Sequence, residues 1–168
     1  MIAQHSGRPF VVLMADDDED DVELVSEALA EGEFLTDFRS VPDGYELIEY
    51  LHRRGGYADP AYDSNSPGSF LYLDPLLRIA PTPDLILLDL NMPKRNGTDV
   101  LRELKCTPAI SMIPVVVFST SVAERDRRKT LSLGAERYIT KPSDFDTLCD
   151  MTQMFKSFYP TLQQYYHD

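Results

Sequence analysis

With 168 residues, 43% of them hydrophobic and 26% charged, the chain has the size and make-up of one globular domain with a sizeable core. A net charge of −12 argues against direct nucleic-acid binding, which needs a basic patch. No apolar run reaches membrane-spanning length, the first ten residues lack a signal-like apolar core, and Cys106 and Cys149 have no metal-ligand spacing. The cysteines therefore read as reduced packing residues of a soluble, cytoplasmic protein.

After an extension over residues 1–9, Phe10 to Ala15 is a continuous apolar run suited to a buried strand. It ends in acids, Asp16 to Asp21, of which Asp18 to Asp21 read as a solvated helix start. Val22, Val25 and Leu29 then recur at helical spacing to about Glu31. Phe34 to Val41 reads as a short strand and Pro42-Asp43-Gly44 as a turn. Leu47, Ile48 and Leu51 mark a second helix, stopped at Gly55-Gly56. Residues 57–82 are irregular and rich in Pro, Ser, Asp, Asn and Tyr, and read as a long loop inserted into the domain.

Leu85 to Leu88 is the apolar run of a central parallel strand, and Asp89 follows it at once. Met92-Pro93 and Asn96-Gly97 are turn vocabulary. Val100, Leu101 and Leu104 give a third helix, and Pro114 to Phe118 a third buried strand ending in Ser119. A helix from Glu124 to Leu133 closes at Gly134. Its basic run, Arg125 to Lys129, reads as a solvated face or, in so acidic a chain, a contact surface. Arg137 to Thr140 is a short strand ending in Lys141-Pro142, and Asp144 caps a last helix reaching Phe158. Residues 159–168 form an aromatic and polar tail.

Strand and helix thus alternate five times, which predicts an α/β, doubly wound, five-stranded parallel sheet. In such a sheet the carboxyl ends of the strands converge on one edge. Asp16, Asp17, Asp89, Ser119 and Lys141 all stand at strand ends, so they can meet in one cleft. On its own, Asp89 reads equally as the cap of the next helix. Three carboxylates in one site stay ionised together only beside a compensating charge. Oxygen ligands favour Mg²⁺, which tends to share its shell with phosphate oxygens. A carboxylate nucleophile, Mg²⁺, a lysine and a hydroxyl match phosphoryl transfer to an aspartate.

The acid pair Asp16-Asp17, the segment LLDLNMPKRNG, the strand end PVVVFST and the stretch GAERYITKP together resemble the receiver domain of two-component response regulators, over residues 10–158. Ser119 lies 30 residues after Asp89, and Lys141 lies 22 after Ser119, as in that family. The resemblance implies a flavodoxin-like (βα)5 fold with Asp89 as phosphoacceptor. It implies Mg²⁺ held by Asp16, Asp17, Asp89 and the Asn91 backbone carbonyl. Ser119 becomes the switch hydroxyl and Tyr138 the switch aromatic, against the alternative of a plain core aromatic. Lys141 becomes the phosphoryl contact, with a cis Lys141–Pro142 bond. The donor would be a sensor histidine kinase or a phosphotransfer protein. The 57–82 insertion and its GGYADP start are similar to small regulators paired with bacterial phytochromes. With no output domain after residue 168, the signal would leave by binding a partner or a second copy through the 124–158 face, or by passing the phosphoryl group onward.

Two competing readings remain at this point. A haloacid-dehalogenase-like phosphatase also uses an aspartate after a strand, but needs a second Asp two residues on, where this chain has Asn91. An unphosphorylated pseudo-receiver, acting only as an interaction module, would have lost an acid, the hydroxyl or the lysine, and none is missing.

Overall fold

Five strands alternate with five helices: Phe10–Ala15 (β1), Glu19–Ala30 (α1), Thr36–Val41 (β2), Gly44–Leu51 (α2), Leu85–Leu88 (β3), Gly97–Cys106 (α3), Val115–Ser119 (β4), Glu124–Ser132 (α4), Arg137–Thr140 (β5) and Phe145–Met154 (α5). Short 3-10 turns follow α2 at Gly55–Tyr57 and α5 at Phe155–Phe158. The structure, a computed structural model, describes residues 9–58 and 80–158. All strand pairs are parallel, in the order β2-β1-β3-β4-β5. This is the doubly wound sheet expected from the alternation of apolar runs.

The apolar runs have no polar face because both faces of the sheet are covered. Phe10, Val12 and Met14 of β1 and Leu85 and Leu87 of β3 point into one cluster with Val25, Ala28, Leu29 and Leu148. Leu13, Ala15, Ile86 and Leu88 point into the other, with Leu47, Val100, Leu101 and Leu104. Fully burying each Val, Leu, Ile, Phe or Met among them contributes roughly 1.5–3 kcal/mol. β2, at the sheet edge, is only half-buried, which is why its sequence shows so weak an apolar pattern.

Short polar side chains start four of the helices. Asp18, Asp43, Asn96 and Asp144 each accept a hydrogen bond from a backbone N–H in the first turn, worth typically about 1 kcal/mol apiece. α4 has no such cap, and Thr130 is its one buried residue. α2 ends at Leu51, before the glycines expected to stop it, because Arg53 takes a left-handed conformation (φ 52°). Arg53 donates to the Ala80 carbonyl and Thr82 Oγ1, each at 3.0 Å, and buried Tyr50 donates to the Pro81 carbonyl. The end of α2 thereby fixes the point where the long loop returns. The rest of that loop, with the extension and tail, lies outside the described residues.

Two expectations need correction. Cys106 is exposed, because α3 turns that side away from the sheet; Cys149 alone packs against the core. The Lys141–Pro142 bond is trans, as the described residues hold no cis peptide, and Lys141 reaches the site from a trans bond.

Candidate phosphoryl-acceptor site

Strand register assembles the site. Ala15 pairs with Leu88, so the residues that follow them, Asp16 and Asp89, emerge side by side. The Asp89 N–H donates to the Ala15 carbonyl at 3.0 Å. This is the point where the chain order reverses across the sheet, with β2 on one side of β1 and β3 on the other, the place where doubly wound sheets bind ligands. On the far side of β3, Ser119 ends β4, and its carbonyl accepts the Lys141 N–H at 2.9 Å. Neighbouring strand ends thus deliver two acids, a hydroxyl and an ammonium to one edge.

Asp16 is 3% exposed and Asp89 6%, while Asp17 is exposed. One oxygen from each of the three lies within 4.8 Å of the others. Lys141 Nζ donates to Asp16 Oδ2 at 2.6 Å and stands 3.8 Å from Asp89 Oδ2. Burial pushes the Asp89 carboxyl above its ordinary range, against the pull of Lys141. Burial likewise raises Asp16, although Lys141 and the Asp18 N–H oppose it. For Lys141, burial acts downward, but its bonds to Asp16 and Asp21 outweigh it and hold the ammonium above its usual value.

Asp21 is the participant that sequence reasoning missed. It was placed with the solvated helix start, yet its Oδ2 accepts from Lys141 Nζ at 2.6 Å. The signal lay in the cap. With Asp18 as N-cap, Asp21 is the third helical residue, and side chains there lean back toward the helix N-terminus. Asp18 itself is the N-cap of α1.

The donor set fits a divalent cation. Asp16, Asp17 and Asp89 bring three carboxylates, while Lys141, paired with Asp16 and Asp21, offsets part of the negative charge. Hard oxygen ligands at that spacing suit Mg²⁺ or Mn²⁺. Asn91 is turned toward Asp89, with its N–H 3.4 Å from Asp89 Oδ1.

Two further features shape the surroundings. Asp43, buried at the start of α2, accepts from Lys94 Nζ at 2.7 Å and so ties the loop after β3 to α2. On the other side, fully buried Ser119 accepts the Ser121 N–H at 3.2 Å. Ser121 donates its hydroxyl to Asp126 of α4, and half-buried Tyr138 donates to the Ser121 carbonyl at 2.8 Å. Tyr138 also packs against the core, so it has both the apolar contact of a core aromatic and a hydroxyl bond to the loop after β4.

Comparison with known proteins gives this site its context. Residues 77–153 match the response regulator receiver domain family. The chain is 32% identical over 158 residues to the response regulator Rcp1 of Synechocystis, covering 94% of each protein. Among solved structures it is similar to the phosphorylated cyanobacterial phytochrome response regulator RcpA, with a TM-score of 0.72 and 32% identity over 92% of this chain and 96% of that one. It is also similar to the Mn²⁺-bound form of Rcp1, with a TM-score of 0.69 and 34% identity over 90% of this chain and 94% of that one. The sheet order, the flavodoxin-like fold and these relatives agree: the chain belongs to the receiver-domain family of two-component response regulators.

Proposed function

We propose that this is a stand-alone response regulator whose Asp89 accepts a phosphoryl group from a histidine kinase or a phosphotransfer protein in a Mg²⁺-dependent reaction. The observation that carries the reading is the meeting of buried Asp89 with Asp16, Asp17 and Lys141 at the sheet's switch point. RcpA, a phytochrome response regulator, makes a phytochrome-type sensor kinase the first donor to test.

In the transfer, an Asp89 oxygen attacks phosphorus. The new O–P bond forms as the P–N bond of the donor phosphohistidine breaks, and the electron pair stays on the imidazole nitrogen. Held by Asp16, Asp17, Asp89 and the Asn91 carbonyl, Mg²⁺ would supply charge neutralisation at the phosphoryl oxygens. Lys141 pairs with one of those oxygens, and the Ser119 hydroxyl donates to another. Drawing Ser119 toward the phosphoryl group releases the Ser121 N–H, and with it the loop gripped by Tyr138 and Asp126. The surface of α4, β5 and α5 then changes, and a partner or second copy binds there. The net charge of −12 supports a reading without direct nucleic-acid binding.

In this reading residues 10–158 form the receiver, interrupted by the 57–82 insertion, with an extension at 1–9 and a tail at 159–168. The protein works in the cytoplasm as a signalling phosphoacceptor rather than a turnover enzyme; among the described residues no helix is long and apolar enough to cross a membrane. Incubation with acetyl phosphate and Mg²⁺, read by intact mass, tests the proposal. One labile phosphate, absent in Asp89→Asn, is expected. Steady release of free phosphate over many turnovers would favour a phosphatase, and no mass gain a pseudo-receiver.

A further inference from the structure

Lys141 is held by more acid than phosphoryl contact alone requires. Its Nζ donates to Asp16 and to Asp21, both at 2.6 Å, while Asp89 Oδ2 stands at 3.8 Å, beyond hydrogen-bond range. The lysine side chain is 8% exposed, so solvent screens these attractions weakly. An ammonium has three N–H donors, and two are engaged. Asp16 also accepts the Asp18 N–H and belongs to the cation-binding triad, so its charge is shared. Asp21 stands outside that triad.

We infer that Asp21 is a positioning residue: it holds Lys141 back from Asp89, leaving the Asp89 oxygen open to attack phosphorus and one Lys141 N–H free for the arriving phosphoryl group. This role rests on the proposed phosphoacceptor function of Asp89. Without the Asp21 charge, the attraction between Lys141 and Asp89 loses one of its two counterweights. Closing that gap to hydrogen-bond contact places an N–H on the lone pair that must attack. When acetyl phosphate is the donor, the Asp89 O–P bond forms as the bond from phosphorus to the acetyl oxygen breaks, and the electron pair leaves with acetate. No proton moves at Asp89, so an unshared lone pair is what the step needs.

The test compares rates of phosphorylation by acetyl phosphate with saturating Mg²⁺. Asp21→Asn, which keeps the shape and removes the charge, is expected to slow the reaction about tenfold, a barrier change of about 1.4 kcal/mol. Asp21→Glu restores most of the rate. Asp20→Asn, the same charge change on an exposed neighbour, leaves the rate near wild type. In a Lys141→Met background, Asp21→Asn has no further effect, since its action passes through the lysine. Thermal melting verifies that each variant is folded, and Asp21→Ser replaces Asp21→Asn if that variant is not. An Asp21→Asn rate equal to wild type or to Asp20→Asn, or a loss that persists without Lys141, would overturn this role alone. A wild-type protein that takes no phosphate would overturn the receiver reading and this role with it.

Discussion

Gly97 leaves no room for a side chain above Asp89. A Cβ added there would lie 2.3 Å from the Asp89 carbonyl oxygen and 2.7 Å from the Leu90 Cα. The Gly97 N–H donates to the Leu90 carbonyl at 3.1 Å, so the start of α3 lies directly against the backbone that carries Asp89. Alanine within a helix is favoured over glycine by up to about 1 kcal/mol, but overpacking costs about 1–3 kcal/mol. The obstruction here is backbone, which yields little. Gly97→Ala is therefore expected to lower stability by about 1–2 kcal/mol and to slow phosphorylation by displacing Asp89. Chemical denaturation and acetyl phosphate kinetics measure the two effects. An unchanged rate would show that Asp89 tolerates the shift.

A second expectation concerns pH. Burial raises the folded-state pKa of Asp89 and Asp16. An acid raised in this way binds protons more tightly in the folded than the unfolded chain, so stability increases as pH falls through the raised value toward the ordinary one. Without Mg²⁺, Asp89→Asn should thus be more stable than wild type at pH 7, with a gap that narrows as pH falls through that window. Bound Mg²⁺ competes with the same protons, so its stabilising effect should fade over the same range. Melting curves from pH 7 to 4, with EDTA and with Mg²⁺, follow both trends. Asp43 and Asp144, held below the usual range, act in the opposite sense: the stability they contribute is lost as pH falls through their lowered values. The difference between wild type and Asp89→Asn removes their contribution.

The third expectation follows the hydrogen bonds out of the site. Tyr138 and Ser119 both hold Ser121, one through its carbonyl and the other through its N–H. Beryllium fluoride with Mg²⁺ should draw Ser119 away and raise hydrogen exchange across residues 119–138. Ser119→Ala should abolish that response. Tyr138→Phe, which gives up one hydrogen bond worth about 1 kcal/mol, should show part of it before any ligand is added. Exchange unaffected by beryllium fluoride in all three proteins would remove the switch.

The fourth concerns α4. Arg125, Arg127, Arg128 and Lys129 are exposed on a chain of net charge −12, and Arg128 pairs with Glu124 at 3.1 Å. If acids of a second copy meet this face, light scattering should report a larger mass with beryllium fluoride and Mg²⁺. That gain should shrink as salt rises toward 1 M, where the Debye length falls to about 3 Å. Arg125→Glu with Lys129→Glu should prevent it. A mass that stays constant in every condition would remove self-association as the output of this face.

The sequence showed strands most clearly where both faces are buried. Leu85–Leu88 and Val115–Ser119 were legible as apolar runs because every side chain is covered. β2 was harder to read, since an edge strand needs little apolar surface. Asp16, Asp17, Asp89, Ser119 and Lys141 were legible from their places at strand ends, and register explains why those ends share one edge of the sheet. Asp21 escaped because its contact is with Lys141, 120 residues away, and one acid among six in a row carries no mark of that partner. Asp43 escaped in the same way: its turn was evident, but its burial under Lys94 depends on a loop 51 residues on. The exposure of Cys106 depends on which side of α3 meets the sheet, and a small residue at a helix end carries little periodic signal.

The bonds from Lys141 to Asp16 and Asp21 join segments 125 and 120 residues apart. During synthesis the acids leave the ribosome well before the lysine. Until β5 docks beside β4, the acids lack the ammonium that balances them, and contacts of such long range form slowly. A nascent or truncated chain ending before residue 141 therefore carries Asp16, Asp21 and Asp89 without the ammonium that stands among them.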